Sequence, residues 1–167
     1  MEDILSTVTD APELIADPVT IREMRLEDAE AVAQLTTQLG YQRNTGEIAG
    51  WITQASRGNA EQIAFVACVG GEVVAWIEVS IERRLQSEAF GMIGGLVVSD
   101  QARSRGIGRR LCERAEEWAR EQGLGTLRVL SRSTREGAHR FYLRDGYTQV
   151  KTSLVFEKKV SSKTERP

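Results

Sequence analysis

Residues 96–111 read L-V-V-S-D-Q-A-R-S-R-G-I-G-R-R-L. Leu96, Val97 and Val98 close an apolar strand. A turn of arginines and glycines follows, and Ile107 and Leu111 then start an apolar stripe at helical spacing. The first amides of a helix have no partner within it, and the helix dipole makes that end positive. Arg103, Arg105 and Arg109 add charge, while Gly106 and Gly108 let a ligand approach the backbone closely. The segment reads as an anion site suited to a phosphate-bearing ligand.

Working outward, the spacing predicts a helix over 106–122 ended by Gly123 and Gly125, with Ile107, Leu111, Ala115 and Trp118 on its inner stripe. Upstream, a strand is expected over Val19–Met24 and helices over 27–39 and 45–57. Strands at 63–69 and 72–81 are joined by Gly70-Gly71, a pair suited to the positive φ of a two-residue hairpin. A strand over 89–98 is interrupted by Gly94-Gly95, which marks a bulge or a close backbone approach. Downstream, Thr126–Leu130 reads as a buried apolar strand and Thr134–Asp145 as a helix stopped by Gly146. Tyr147–Val150 and Ser153–Lys159 read as two last strands. The order β-α-α-β-β-β-α-β-α-β-β implies an α/β (α+β) fold with a mixed sheet and helices on its faces, not a repeating βαβ unit.

The chain has 167 residues, 41% of them hydrophobic, which favours one domain with a sizeable core. Residues 19–160 are read as that domain, 1–18 as an acidic N-terminal arm and 161–167 as a polar tail. Twenty-two basic against 24 acidic residues argue against nucleic-acid binding by bulk charge. The N-terminus lacks a basic signal-peptide region, and no apolar run nears the ~18 residues that span a bilayer. Cys68 and Cys112 sit in apolar segments and read as core thiols in a reducing cytoplasm. No histidine–cysteine spacing supports a metal site, and His139, the one histidine, reads as a surface or ligand-edge residue.

Two motifs carry a resemblance. Arg103, Gly106 and Gly108 match Q/R-x-x-G-x-G/A. Ala138, Phe141, Tyr142, Gly146 and Tyr147 match A-x-x-F-Y-x-x-x-G-F/Y. With the order of elements, these resemble the GNAT acetyltransferases over about residues 19–158. The resemblance implies a mostly antiparallel sheet splayed in the middle, with acetyl-coenzyme A as cosubstrate. Its pyrophosphate is expected on the amides of Arg103, Ser104, Arg105, Gly106, Ile107, Gly108 and Arg109, and its pantetheine arm in the gap between strands 89–98 and 126–132. Leu96, Val97 and Val98 would line the acyl end, the Val98 N–H polarising the thioester carbonyl. Ala138 and Phe141 are expected beside the ligand. An amine would attack the thioester directly and coenzyme A thiolate would leave.

Tyr142 is the expected general acid, because its reference pKa of ~10 lies near a thiol's ~8.5. A lysine-like amine is mostly protonated at neutral pH, so a base is needed. Some family members carry a glutamate on the strand before the turn, where this chain has Met92. Glu78, Glu88 or water remain for that role, and Glu78 is favoured because it shares a strand face with Val74 and Trp76. The expected acceptor is a small-molecule primary amine met by residues 25–57, the 81–88 turn and the C-terminal strands. Within that turn Glu82 and Glu88 suit a cation, and Arg83 and Arg84 suit a carboxylate. Alternatives are acetylation of a protein amine, or a non-catalytic coenzyme A-binding or regulatory domain on the same fold. An exposed C-terminal strand is also placed to pair across a two-fold axis in a homodimer.

Overall fold

The computed structural model describes residues 17–57 and 61–160, so most of the N-terminal arm and the whole polar tail lie outside the described residues. The chain divides into two compact units at Val129/Leu130.

The first unit holds strands β1 (Val19–Glu23), β2 (Gln62–Val69), β3 (Glu72–Arg84), β4 (Ser87–Val98) and β5 (Leu127–Val129), and helices α1 (Ala29–Thr36), α2 (Thr45–Ser56) and α3 (Ile107–Glu121). The strands form one sheet in the order β1-β2-β3-β4-β5, antiparallel except for the parallel β4–β5 pair. Gly70 and Gly71 turn β2 into β3 at φ 58° and 86°, as expected for a hairpin of that length. The segment read as a turn over 81–88 is mostly strand. β3 runs on to Arg84 and pairs with Ser87, leaving a tight connection.

Side chains alternate across the sheet. One face carries Val66, Cys68, Trp76 and Val97, packed with Val32 and Leu35 of α1. The other carries Phe65 and Gly91. Arg114 of α3 stacks on the Phe65 ring at 4.6 Å, and a Cβ on Gly91 would touch Ala119 of α3. Ile107, Leu111, Cys112 and Ala115 of α3 are buried, so the expected stripe is the core-facing one. Both cysteines are buried and neither is in a disulfide. α3 ends in a Schellman cap: Leu124 N–H reaches Ala119 O, Gly123 N–H reaches Arg120 O, and Gly123 has φ 73°.

Arg22 on β1 grips Asp28, before α1, through two bonds of 2.7 and 2.8 Å, and the Arg25 amide donates to the same carboxylate at 2.7 Å. Burial alone would raise the Asp28 pKa, but Arg22 and the Arg25 amide outweigh it and hold the carboxyl below its ordinary value. Asp28→Ala leaves a half-buried guanidinium without its anion and is expected to lower stability by about 3 kcal/mol, measured by urea unfolding at pH 7. A depressed carboxyl stabilises above its unfolded pKa and loses that contribution as pH falls through the folded value. The gap between wild type and variant should therefore close in acid.

The second unit holds α4 (Glu136–Arg144). It too ends in a Schellman cap. Tyr147 N–H donates to Tyr142 O at 3.0 Å, Gly146 N–H to Leu143 O at 3.4 Å, and Gly146 has φ 90°. The Tyr142 and Tyr147 rings meet edge-on at 5.4 Å, the apolar contact that accompanies this cap. The A-x-x-F-Y-x-x-x-G-Y spacing thus encodes a helix stop. The two strands expected over Tyr147–Val150 and Ser153–Lys159 are absent. Residues 147–160 carry no strand, and Leu154, Val155 and Phe156 are exposed. A β pattern becomes a strand only where a partner ladder takes its amides, and pattern alone does not supply one.

Candidate active site

β5 also differs from its sequence reading. It is three residues long and half-buried, where a five-residue buried strand was expected. It pairs with β4 only through Gly91↔Leu127, Met92↔Arg128 and Ile93↔Val129. Beyond Ile93, β4 continues to Val98 with β3 alone as its partner in the sheet. The β5-side edge of β4 is therefore without a ladder partner from Gly94 to Val98, where the resemblance puts the gap. Ser99 N–H donates to Val74 O on β3 at 2.8 Å. Strand alternation then directs the Val98 and Leu96 N–H groups to the open edge. Val97 turns its side chain into the core, while Leu96 and Val98 remain half-buried.

The register between β3 and β4 shifts at Glu78/Val79, where Glu78 faces Gly95 and Val79 faces Ile93. Gly94 is the extra residue of this bulge. Both glycines have close neighbours. A Cβ on Gly94 would lie 3.2 Å from the Glu78 carboxyl, and one on Gly95 would lie 2.7 Å from the Trp76 ring. The Trp76 indole N–H is buried without a hydrogen-bond partner. Burial raises the Glu78 pKa above the ordinary carboxylate value. Gly94 itself is exposed, so the carboxyl lies beside an opening. Met92, where the resemblance would place a glutamate, stands half-buried, and Glu88 is exposed near the start of β4.

Past Val98, a short 3-10 turn (Asp100–Ala102) leads to Arg103 in extended backbone, then Ser104 at φ 64° and Gly106 at φ 72°. Ser104 is the one non-glycine residue at positive φ among the described residues. Left-handed backbone costs an L-residue roughly 1–2 kcal/mol, and such turns aim successive N–H groups into a common concavity. No side chain caps α3 and no acidic residue stands in its first turn. α2 is the contrast, since Asn44 and Glu47 close its start with two reciprocal bonds of 2.9 Å. A Cβ on Gly106 would meet nothing within 4 Å, so the space above the turn is open. Bare amides, left-handed backbone and open space fit a diphosphate.

The arginines here make exposed contacts. Arg103 pairs with Asp100 at 2.7 Å, Arg109 with Glu113 at 3.0 Å, and Arg105 donates to the Asp17 carbonyl at 3.1 Å. All are surface contacts, which contribute little and exchange readily for a ligand. The Ile107 side chain is in the core, so that position can offer only its amide.

In the second unit, α4 carries Ala138, Phe141 and Tyr142, all half-buried, with the Phe141 and Tyr142 rings edge-on at 5.1 Å. His139 Nε2 lies 3.0 Å from the Arg132 carbonyl. A separate cleft of about 300 Å³, lined by Glu23, Trp51, Gln62 and Trp118, sits at the β1–β2 edge, away from β4. Among the described residues no cluster of metal-ligating side chains occurs, and no helix is long and apolar enough to cross a membrane.

Sequence reasoning missed Arg128 and Phe90. Phe90 is 1% exposed, and the guanidiniums of Arg128 and Arg84 lie over its ring at 4.0 and 5.2 Å. The available signal was a lone arginine inside T-L-R-V-L, which makes that strand alternating rather than apolar throughout.

The chain is similar to known proteins in sequence and in fold. Over 85 residues, half of this chain, it is 39% identical to the aminoalkylphosphonate N-acetyltransferase of Salmonella typhimurium, and it spans 55% of that relative's length. Its fold matches the solved structure of aminoglycoside N-acetyltransferase AAC(6')-Iy in complex with coenzyme A, with a TM-score of 0.78 and 16% identity over 90% of this chain and 99% of that one. Glucosamine-6-phosphate N-acetyltransferase from Arabidopsis thaliana matches with a TM-score of 0.75 and 16% identity over 86% of this chain and all of that one. The family model described as acetyltransferase (GNAT) family matches residues 26–147. On that match, with the one-sided β4 edge and the uncapped α3 in place, the chain belongs to the GNAT acetyltransferase family.

Proposed function

We propose that this chain transfers an acetyl group from acetyl-coenzyme A to the primary amine of a small molecule, within one ternary complex in the cytoplasm. The observation that carries this reading is the stretch Gly94–Val98, paired on one edge only and joined through the 99–106 turn to the uncapped N-terminus of α3. Acetyl-coenzyme A is a diphosphate joined to an amide-bearing arm, so one end suits the helix amides and the other suits a strand edge. The Val98 N–H, directed to that edge, would stabilise the oxyanion that forms as the amine attacks. Glu78, desolvated and raised in pKa, would take the ammonium proton near neutral pH. Tyr142 would return a proton to the departing thiolate. The Salmonella relative is named for aminoalkylphosphonates, which are small primary amines, and this favours a small acceptor over a protein one.

Steady release of thiol from acetyl-coenzyme A with a small amine tests the reading directly. Tight cofactor binding without turnover across a broad amine panel would replace it with a non-catalytic coenzyme A-binding role. Gly108→Asp and Arg103→Glu each put an anion against the proposed diphosphate site. Titration calorimetry is expected to show acetyl-coenzyme A bound about tenfold or more weakly in both. Unchanged affinity would remove the assignment of this turn.

A further inference from the structure

We infer that Arg128, assisted by Arg84, binds an anionic group carried by the acceptor amine, at the far end of the sheet face that holds Glu78. This rests on the acetyl-transfer reading and narrows its substrate. Strand register puts the residues on one face. Glu78 faces the Gly94-Gly95 bulge, Ser80 faces Met92, Glu82 faces Phe90, and Arg128 stands beside Met92 on β5. The middle of the face, Ser80 and Met92, is uncharged and half-buried. One end therefore offers the Glu78 carboxylate and the other two guanidiniums beside Glu82, with a neutral floor between.

Arg128 is the unusual member. It is half-buried and stacked on Phe90 at 4.0 Å, with no ion pair or hydrogen bond among the described residues. Arg22, Arg103, Arg109 and Arg114 all have carboxylate partners. A guanidinium carries five donors and stays charged, so a half-buried one needs acceptors. Stacking on an aromatic ring fixes its plane and leaves the donor edge free, the arrangement that recognises a planar or tetrahedral oxyanion. Arg84 stacks on the same ring at 5.2 Å and makes one loose contact of 3.8 Å with Glu82. It supplies a second positive charge and screens that carboxylate.

The spacing sets the size of the ligand. Gly94 and Phe90 are four residues apart on β4, about 13 Å of strand. An amine takes ~3 Å to reach a carboxylate and an oxyanion's central atom sits ~4 Å from a guanidinium carbon, leaving about 6 Å. That is a linker of roughly three or four carbons. The acceptor class is a short ω-amino phosphonate, phosphate or carboxylate.

Two arms test this. In the first, the chain saturated with coenzyme A is titrated with propylphosphonate and with butanoate, anions that have no amine to react. At least one is expected to bind, about tenfold more weakly in Arg128→Gln and at an intermediate level in Arg128→Lys; the tighter anion identifies the source. In the second, kcat/KM for 3-aminopropylphosphonate or 4-aminobutanoate is expected to exceed that for butylamine about tenfold or more. Arg128→Gln should collapse that ratio, and Arg128→Glu should move the preference to 1,4-diaminobutane. Absence of binding by both anions, or equal binding by wild type and Arg128→Gln, overturns the subsite. Anion binding that depends on Arg128, without thiol release from any amine, keeps the subsite and overturns acetyl transfer. Thiol release at equal rates with charged and neutral amines, without anion binding, does the reverse.

Discussion

Replacing Glu78 with glutamine is expected to lower kcat by about 10²–10⁴-fold and to abolish the acid limb of the pH–rate profile. In the wild type that limb reports protonation of the base, and burial displaces it upward from the ordinary carboxylate range. Acetyl-coenzyme A affinity should stay near the wild-type value, because no part of the α3 turn is touched. Stability should move the other way. A carboxyl whose folded pKa is raised binds its proton more tightly in the native state, so stability is lost as pH rises from the unfolded pKa through the folded one. Glutamine carries no charge to desolvate, and its thermal midpoint above that window should exceed the wild type's. An unaltered pH–rate profile would return the base role to water. Loss of activity together with loss of stability would mark Glu78 as structural.

Tyr142→Phe is expected to reduce kcat within the same ~10²–10⁴-fold range, leaving calorimetric affinity for acetyl-coenzyme A almost intact. The substitution removes only the hydroxyl. The edge-on contact with Tyr147 and the backbone cap at Gly146 depend on the ring and the main chain, and both survive. A wild-type thermal midpoint in the variant would separate loss of chemistry from a folding defect. The rate should recover with an acyl donor whose leaving thiol has a much lower pKa and needs no proton. Wild-type turnover in Tyr142→Phe takes the residue out of the mechanism.

The parts of this chain that read well from sequence are those in which a residue type dictates backbone geometry. Gly70-Gly71, Gly94-Gly95 and the Arg103–Gly108 turn state their own conformations, and each appears where it was read. The stripe of α3 was legible because its period matches the buried face. The C-terminal strands were not, since Leu154, Val155 and Phe156 satisfy the composition of a strand without the neighbour that makes one. β5 misled in a related way. Leu127 and Val129 dominate its composition, yet Arg128 between them belongs to the opposite face. Glu78 was legible as a candidate by strand parity, whereas its closeness to Gly94 depends on a register shift that one sequence does not display.

The one-sided ladder of β4 carries a consequence for the life of the protein. Unsatisfied strand edges recruit strands from other molecules. Without a ligand, the first unit thus keeps a sticky seam along one edge of β4. A ligand that fills the seam also raises the free energy of unfolding, in proportion to the logarithm of its concentration. If that ligand is acetyl-coenzyme A, as proposed, persistence of the protein in the cell would be tied to the supply of its acetyl donor: plenty would protect it, and scarcity would expose it to aggregation and turnover.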